Sequence, residues 1–239
     1  MIAQRASLEG ASVVIRGYFN PPIFSPKWFF DQQLIGAAEF RASEIEVITR
    51  DVAFFGMGWL GCQVSSETLQ LTTTNPEEFE RLRDAAIGVL RLLSHTPVAA
   101  LGINREFHVH IERNEDYHAI GDALTPKFIW EKHLKLPGMK SVIIEGLRPD
   151  DYNGRVQVQV APSVRVKQGV YIGHNDHFSL GSNAKTPRTR DEAWSLEEEA
   201  IEPSADYIAS ILSILSDEWK SSMSRADKLA DLIVGLTGH

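Results

Sequence analysis

The chain has 239 residues, 43% of them apolar, with 32 acidic and 24 basic side chains for a formal net charge of −8. The apolar share is sufficient for a hydrophobic core and argues against disorder over most of the chain. The acidic balance disfavours nucleic acid as a partner, because an acidic surface repels phosphate backbones. The single cysteine, Cys62, excludes an internal disulfide and a thiolate metal cage. Residues 1–10 lack the apolar run of a signal peptide, and no window approaches the roughly 18 apolar residues of a membrane span. We therefore expect a cytoplasmic protein without a membrane partner.

The chain begins with predicted strands and one short helix. Residues 12–19 and 44–50 have the apolar patterning of strands. Between them, Ser25 is suited to cap a helix and Pro26 to fill its first position, which predicts a short helix over 28–35.

Three glycines match the spacing of the dinucleotide-binding motif G-x-G-x-x-G: Gly56, Gly58 and Gly61. That motif needs a strand before it and a helix directly after it, so that the helix N-terminus can hold a pyrophosphate. Residues 62–73 instead alternate between apolar and polar side chains on both sides of a short polar turn, which predicts a β-hairpin. We interpret the glycines as turn or bulge positions, with a phosphate contact as the alternative.

The clearest helix start is Asn75-Pro76, because Asn caps a helix, Pro suits its first position, and Glu78 is placed to complete a capping box. The apolar residues that follow fall on one helical face: Phe79, Leu82, Ala86, Val89, Leu90 and Leu93. A long strand is predicted over 98–111.

The second half of the chain repeats the alternation of strands and helix. Residues 112–137 are predicted to connect the halves and to contain a short helix at 126–134. Strands are predicted at 141–146, 155–160 and 164–178, followed by a long loop at 181–202 and a helix that begins at Ser204 and is interrupted near 221–224.

These elements predict an α+β fold, a mainly antiparallel sheet covered on one face by amphipathic helices. Residues 12–17 resemble residues 141–146, which suggests a duplicated strand–strand–helix unit. Two organisations stay open: halves at 1–111 and 138–239 joined by 112–137, or one continuous domain.

Two groups of histidines are candidate ligands for a divalent metal. His108 and His110 lie two residues apart on a predicted strand and therefore on the same face. His174, Asp176 and His177 are the densest cluster of metal-capable side chains, and His118 is a further donor. The alternatives are a solvated strand face at 108–110 and a turn at 174–177.

No nucleophile-elbow or P-loop motif is present, so no cofactor other than a possible metal ion is predicted. The leading hypothesis is a non-enzymatic binding or regulatory module, a homodimer, which holds a protein or small ligand on its sheet face or its 181–202 loop. The alternative is a metal-dependent hydrolase built on the histidines. Nucleic-acid binding requires six basic residues to gather on one face: Arg155, Arg165, Lys167, Lys185, Arg188 and Arg190.

Overall fold

The computed structural model describes residues 2, 6–181 and 201–237. These residues form one nine-stranded antiparallel sheet and six α-helices, which is the α+β fold predicted from the sequence. The strands are β1 (Ala6–Gly17), β2 (Ser43–Ile48), β3 (Val52–Met57), β4 (Leu60–Ser65), β5 (Thr68–Thr73), β6 (Val98–His110), β7 (Val142–Leu147), β8 (Gly154–Pro162) and β9 (Gly169–Ser179). The helices are α1 (Pro26–Asp31), α2 (Ala37–Arg41), α3 (Phe79–Leu92), α4 (Asn114–Leu124), α5 (Ile208–Asp217) and α6 (Trp219–Val234).

The order of strands across the sheet is β2-β3-β4-β5-β1-β6-β9-β8-β7. β1 and β6 are neighbours near its middle, and each also pairs with the last strand of the meander that follows it in the chain, β5 and β9 respectively. This topology relates β1 to β6, whereas the sequence similarity relates β1 to the edge strand β7. The division of the chain at 111 and 138 stays a prediction. The strand topology is also compatible with a division near Pro97, between the segment of β1 to β5 and that of β6 to β9.

One face of the sheet, which we call the helix face, carries the hydrophobic core. It is formed by alternate strand residues such as Val13, Phe55 and Ile103, whose side chains are fully buried. Helices α1, α3 and α5 pack on this face over the first meander. Helices α4 and α6 pack on it around Phe107 and Ile172. Because the helices are amphipathic, they bury one apolar stripe against this face of the sheet and expose the opposite side to water.

The predicted hairpin after the glycine motif is confirmed. β3, β4 and β5 are consecutive antiparallel strands, so no helix follows the glycines. Gly58 has φ +61°, a left-handed conformation that favours glycine in the tight β3–β4 turn. The Asn75 side chain accepts from the backbone N–H of Glu77, as a helix cap does. The capping box is absent at this turn, because the Asn75 N–H donates to Thr73 Oγ1 and Glu78 pairs with Arg81 instead.

Three local predictions were wrong. The helix of the connecting segment lies at 114–124 rather than 126–134. The acidic side chains of Glu115 and Asp116 are favourable at a helix N-terminus, and at the other end Lys127 Nζ donates to the Gly121 carbonyl oxygen. The C-terminal helices separate at Glu218, before the serines. Residues 174–177 lie within β9, where they pair with β6 and β8, and do not form a turn.

The predicted loop at 181–202 lies almost entirely outside the described residues. Among the helices that the structure describes, none is long and apolar enough to cross a membrane.

Candidate ligand-binding face

The opposite face of the sheet, which we call the open face, is covered by none of the described helices. Its residues alternate with those of the core. Ser12, Asn104 and Asn175 each lie between two buried neighbours along the strand and are themselves only half-buried. Their side chains therefore point away from the helices.

Polar side chains lie in register across this face. The partners from β4 to β7 are, in order, Gly61, Thr72, Ser12, Asn104, Asn175, Gln157 and Glu145. Since neighbouring strands are about 4.8 Å apart, the row presents a polar group at that interval over most of the sheet's width. We call the five residues from Thr72 to Gln157 the polar row.

The polar row forms the floor of a groove with a cavity volume of about 310 Å³. Gly102 and Gly173 lie two residues before Asn104 and Asn175 on the same face. At Gly173 the space is taken by the Tyr171 hydroxyl, which lies 2.5 Å from where a Cβ would stand. A larger residue there would displace the Tyr171 ring that lines the groove.

The polar row keeps much of its hydrogen-bonding capacity. Asn104 Nδ2 donates to Ser12 Oγ at 3.1 Å, which orients this amide, while Asn104 Oδ1 has no partner among the described residues. The side-chain amides of Gln70, Asn175 and Gln157 make no hydrogen bond within the described part of the chain. Each of these amides carries two donor hydrogens and an acceptor oxygen, so a ligand in the groove meets unused groups of both kinds.

The β8–β9 loop closes one end of the groove. Ser163 Oγ lies 2.7 Å from His108 Nδ1, and Arg165 Nη1 donates to Glu106 Oε1 at 3.3 Å. Burial raises the pKa of Tyr171, with a smaller contribution from the Glu106 charge. The phenol is therefore a neutral hydrogen-bonding group at physiological pH.

The charges around the groove are paired with each other. Glu106 is matched by Arg165, and at the far end of the row Glu145 is matched by Arg155 at 2.7 Å. A ligand on the polar row therefore meets neutral amide and hydroxyl groups flanked by ion pairs. This electrostatic character suits an uncharged polar molecule better than an anion or a cation.

The five residues predicted as metal ligands lie in different places. His108, His110 and His177 belong to the open face, and His174 and Asp176 belong to the helix face, because side chains alternate along β6 and β9. His110 Nδ1 lies 2.8 Å from the Lys167 carbonyl oxygen, and burial lowers the pKa of His108. The further donor considered, His118, is exposed on α4. Among the described residues, no three His, Cys, Asp or Glu side chains are arranged to hold a metal ion.

Asp176 is the most deeply buried member of a ring of ion pairs beneath α6. Its two oxygens receive Nη1 of Arg148 and Nη1 of Arg225, the latter at 2.5 Å. Both arginines also donate to Asp150, at 2.6 Å from Arg148 Nη2 and 3.1 Å from Arg225 Nη2. This closed ring connects α6, β9 and the β7–β8 loop. With both oxygens engaged by arginines, Asp176 has the contacts of a structural residue.

His174 lies beside this ring and is 2% exposed, and neither of its ring nitrogens has a hydrogen-bond partner among the described residues. Burial lowers its pKa to about 4, against a smaller opposing effect of Asp176. The imidazole is therefore neutral in the folded protein at physiological pH.

A second depression of about 530 Å³ lies at the turn between α1 and α2. Its one cationic side chain among the lining residues, Arg81, already pairs with Glu39 at 3.0 Å and Glu78 at 2.8 Å and stacks on Trp59. This depression therefore offers fewer unused polar groups than the groove.

Of the six basic residues considered for nucleic-acid binding, three lie in the described part of the chain, and Lys167 is exposed in the β8–β9 loop. Arg155 and Arg165 are in ion pairs with Glu145 and Glu106. Lys185, Arg188 and Arg190 lie outside the part of the chain that the structure describes.

No protein-family model matches this sequence, and its comparison with curated proteins finds no match. No residue of the polar row was among the site residues predicted from the sequence. The one signal available in the sequence was the pattern Gly-x-Asn, which occurs in both β6 (Gly102–Asn104) and β9 (Gly173–Asn175).

Proposed function

We propose that the protein is a non-enzymatic binding module that holds a neutral oligosaccharide chain in the groove of the open face. The observation that carries this proposal is the polar row, a series of amide and hydroxyl side chains in register across five strands, with several of its hydrogen-bonding groups unused. A cytoplasmic location and a twofold dimer belong to the same proposal.

The chemistry of the groove favours a carbohydrate over other ligands. A sugar ring presents adjacent hydroxyl groups that donate and accept, and a carboxamide offers the same two functions on neighbouring atoms. An apolar ligand would strip water from Asn175 and Gln157 without replacing its hydrogen bonds, which is costly. The Tyr171 ring at the closed end offers a flat surface for the apolar side of a sugar.

The shape of the site supports an extended chain. The polar row offers a group every ~4.8 Å, the spacing of neighbouring strands. A pyranose with its linking oxygen spans a similar length, so successive sugars of an extended chain meet successive strands. The groove is closed by the β8–β9 loop near Glu106, so we expect the chain to run along the row towards Gln157 or Thr72.

The test is a titration of ¹⁵N-labelled protein with cellotetraose, chitotetraose and maltotetraose, followed by amide chemical shifts. We expect one of these to shift residues of β1, β6, β8 and β9. The double variant Asn175→Ala, Gln157→Ala should weaken that binding at least about tenfold, since each lost hydrogen bond contributes about 1 kcal/mol. Gln63→Ala is the matched control, because Gln63 is an exposed amide of the open face outside the groove.

Two results would overturn the proposal. One is the absence of any shift at millimolar concentrations of all three sugars. The other is binding that maps away from the polar row or that survives the double variant.

A further inference from the structure

The two edges of the sheet differ in how they are protected from pairing with another strand. Edge strand β2 carries Glu44 and Glu46, and its pairing with β3 has a register shift between Ile45 and Val47. Charges and bulges are the usual means of keeping an edge strand unpaired. Edge strand β7 has regular pairing with β8, and its one charged side chain, Glu145, is neutralised by Arg155 of its own sheet. Within the described part of the chain, β7 is thus the unprotected edge.

Exposed apolar side chains are concentrated in β7 and in the segment of chain that leads into it. Of the 18 large hydrophobic side chains that are exposed in the described residues, eight lie within 128–147. They are Phe128, Ile129, Trp130, Leu134, Leu136, Ile143, Ile144 and Leu147. A concentration of this kind on a protein surface indicates an area that another molecule covers. We call residues 128–147 the β7 edge.

We propose that the β7 edge is the interface of a homodimer, in which β7 pairs antiparallel with β7 of a second copy. The two sheets then form one sheet of twice nine strands around a twofold axis. The apolar residues of 128–136, which lead from α4 into β7, contribute the remaining buried surface. A twofold interface uses the same patch on both copies, so it removes both exposed edges at once.

The residues of β7 favour a second copy of the chain as the partner and favour one register of pairing. Residues that lie directly opposite each other in an antiparallel pair have their side chains on the same face of the sheet. If both helix faces are to lie on one side of the joined sheet, the twofold axis must pass beside one residue of β7, which then lies opposite its own copy. An axis at Glu145 would place two carboxylates opposite each other, which is destabilising. An axis at Ile144 places Ile144 against its own copy and Ile143 opposite Glu145. A second copy therefore complements this strand with an apolar centre and without opposed charges.

The dimer would also extend the binding surface. A twofold axis perpendicular to the sheet keeps both open faces on the same side. The two polar rows then share one surface, offset by two residues along the strands because Glu145 meets Ile143 of the second copy. Two grooves on one surface bind a long chain more tightly than one, because the second contact is intramolecular. The interface itself does not depend on the identity of the ligand.

The test is disulfide trapping of Ile144→Cys. Opposed residues of an antiparallel pair have Cα atoms about 4.5–5.5 Å apart, within the range that a disulfide bridges. The native Cys62 is buried and does not compete. The matched control is Ile45→Cys on the β2 edge, since Ile45 is 58% exposed and Ile144 63%. Under mild oxidation we expect most of the Ile144→Cys protein, and little of the control, to become a covalent dimer.

A second measurement keeps the test decisive if oxidation is slow. Sedimentation equilibrium of the wild-type protein should give twice the chain mass of 26.7 kDa. Ile144→Lys should halve that mass and Ile45→Lys should not, with circular dichroism confirming that both variants are folded. A wild-type monomer overturns the proposal. So does a dimer that survives Ile144→Lys, if the Ile144→Cys variant also crosslinks no better than the Ile45→Cys control.

Discussion

Asn104 and Asn175 lie directly opposite each other on β6 and β9, in the middle of the face that none of the described helices covers. Gly102 and Gly173 precede them at the same interval; Gly102 is buried, and the Tyr171 hydroxyl occupies the space beside Gly173. A sheet that only needed a solvated outer face would be served by any polar side chain at these positions. Both amides line the groove that the polar row forms, which supports the proposed ligand site.

A larger residue at Gly102, which is buried beside the groove-lining Asn104, should affect binding more than folding. A Cβ at Gly102 would lie 3.5 Å from Asn104 Oδ1 and 3.7 Å from Val14 Cβ, both ordinary contacts. Gly102→Val should therefore change the free energy of unfolding by no more than about 1 kcal/mol, because a β-branched residue suits a strand. Its methyl groups would crowd the Asn104 amide, which lines the groove, and should weaken the oligosaccharide-induced shifts.

The control for this variant is Gly56→Val. Gly56 lies on the open face of β3, outside the groove, and has nothing within 4 Å of its Cβ position. Unchanged binding by Gly102→Val alongside Gly56→Val would show that the groove is not where the ligand lies.

The ring of ion pairs around Asp176 should dominate the electrostatic contribution to stability. Asp176→Asn keeps the shape of the side chain but removes the negative charge from between Arg148 and Arg225. Breaking a buried ion pair in this way costs about 3–5 kcal/mol, because a desolvated charge loses its partner. Asp31→Asn breaks the exposed Lys27–Asp31 pair and should cost less than about 1 kcal/mol.

Urea unfolding of both variants, followed by tryptophan fluorescence, measures these costs. A loss at Asp176 no greater than the loss at Asp31 would contradict the role of the ring in holding α6 to the sheet.

The parts of this fold that the sequence predicts are those with local causes. The hairpin after Gly61 and the cap at Asn75 follow from the alternation and the residue types of a few neighbours. The polar row cannot be predicted from neighbouring residues, because its members come from distant segments and lie side by side only through the order of the strands. Nearness in sequence was also a poor guide to the predicted metal ligands. His174 and His177 are three residues apart, but they lie on opposite faces of the sheet.

Cys62 should be unreactive in the folded protein. Its thiol is buried in β4, and burial raises its pKa well above the usual range, so the nucleophilic thiolate is suppressed. With Ellman's reagent near neutral pH, we expect the native protein to react at least about a hundredfold more slowly than the urea-unfolded chain. Rapid labelling of the native protein would contradict the burial of β4.

His174 should make the protein less stable at mildly acidic pH. Its pKa is lowered to about 4 in the fold, below the ordinary value of 6.5, because the ring is buried. Between these values the unfolded chain binds the proton and the folded one does not, so the free energy of unfolding falls as the pH is lowered. The contribution of His174 is complete above about pH 6.5 and is lost progressively towards pH 4. Between about pH 7.5 and pH 5 this amounts to roughly 2 kcal/mol.

Urea unfolding of wild type and His174→Leu at both pH values isolates this effect from other titrating groups. The difference in stability between the two proteins should move by roughly 2 kcal/mol in favour of the variant at the lower pH. The exposed His95, replaced by leucine in the same way, serves as the control. A pH dependence that is identical in wild type and His174→Leu would mean that the imidazole is hydrated, or otherwise stabilised as a cation, within the fold. It would also remove the argument that this side chain is a neutral part of the core beneath α6.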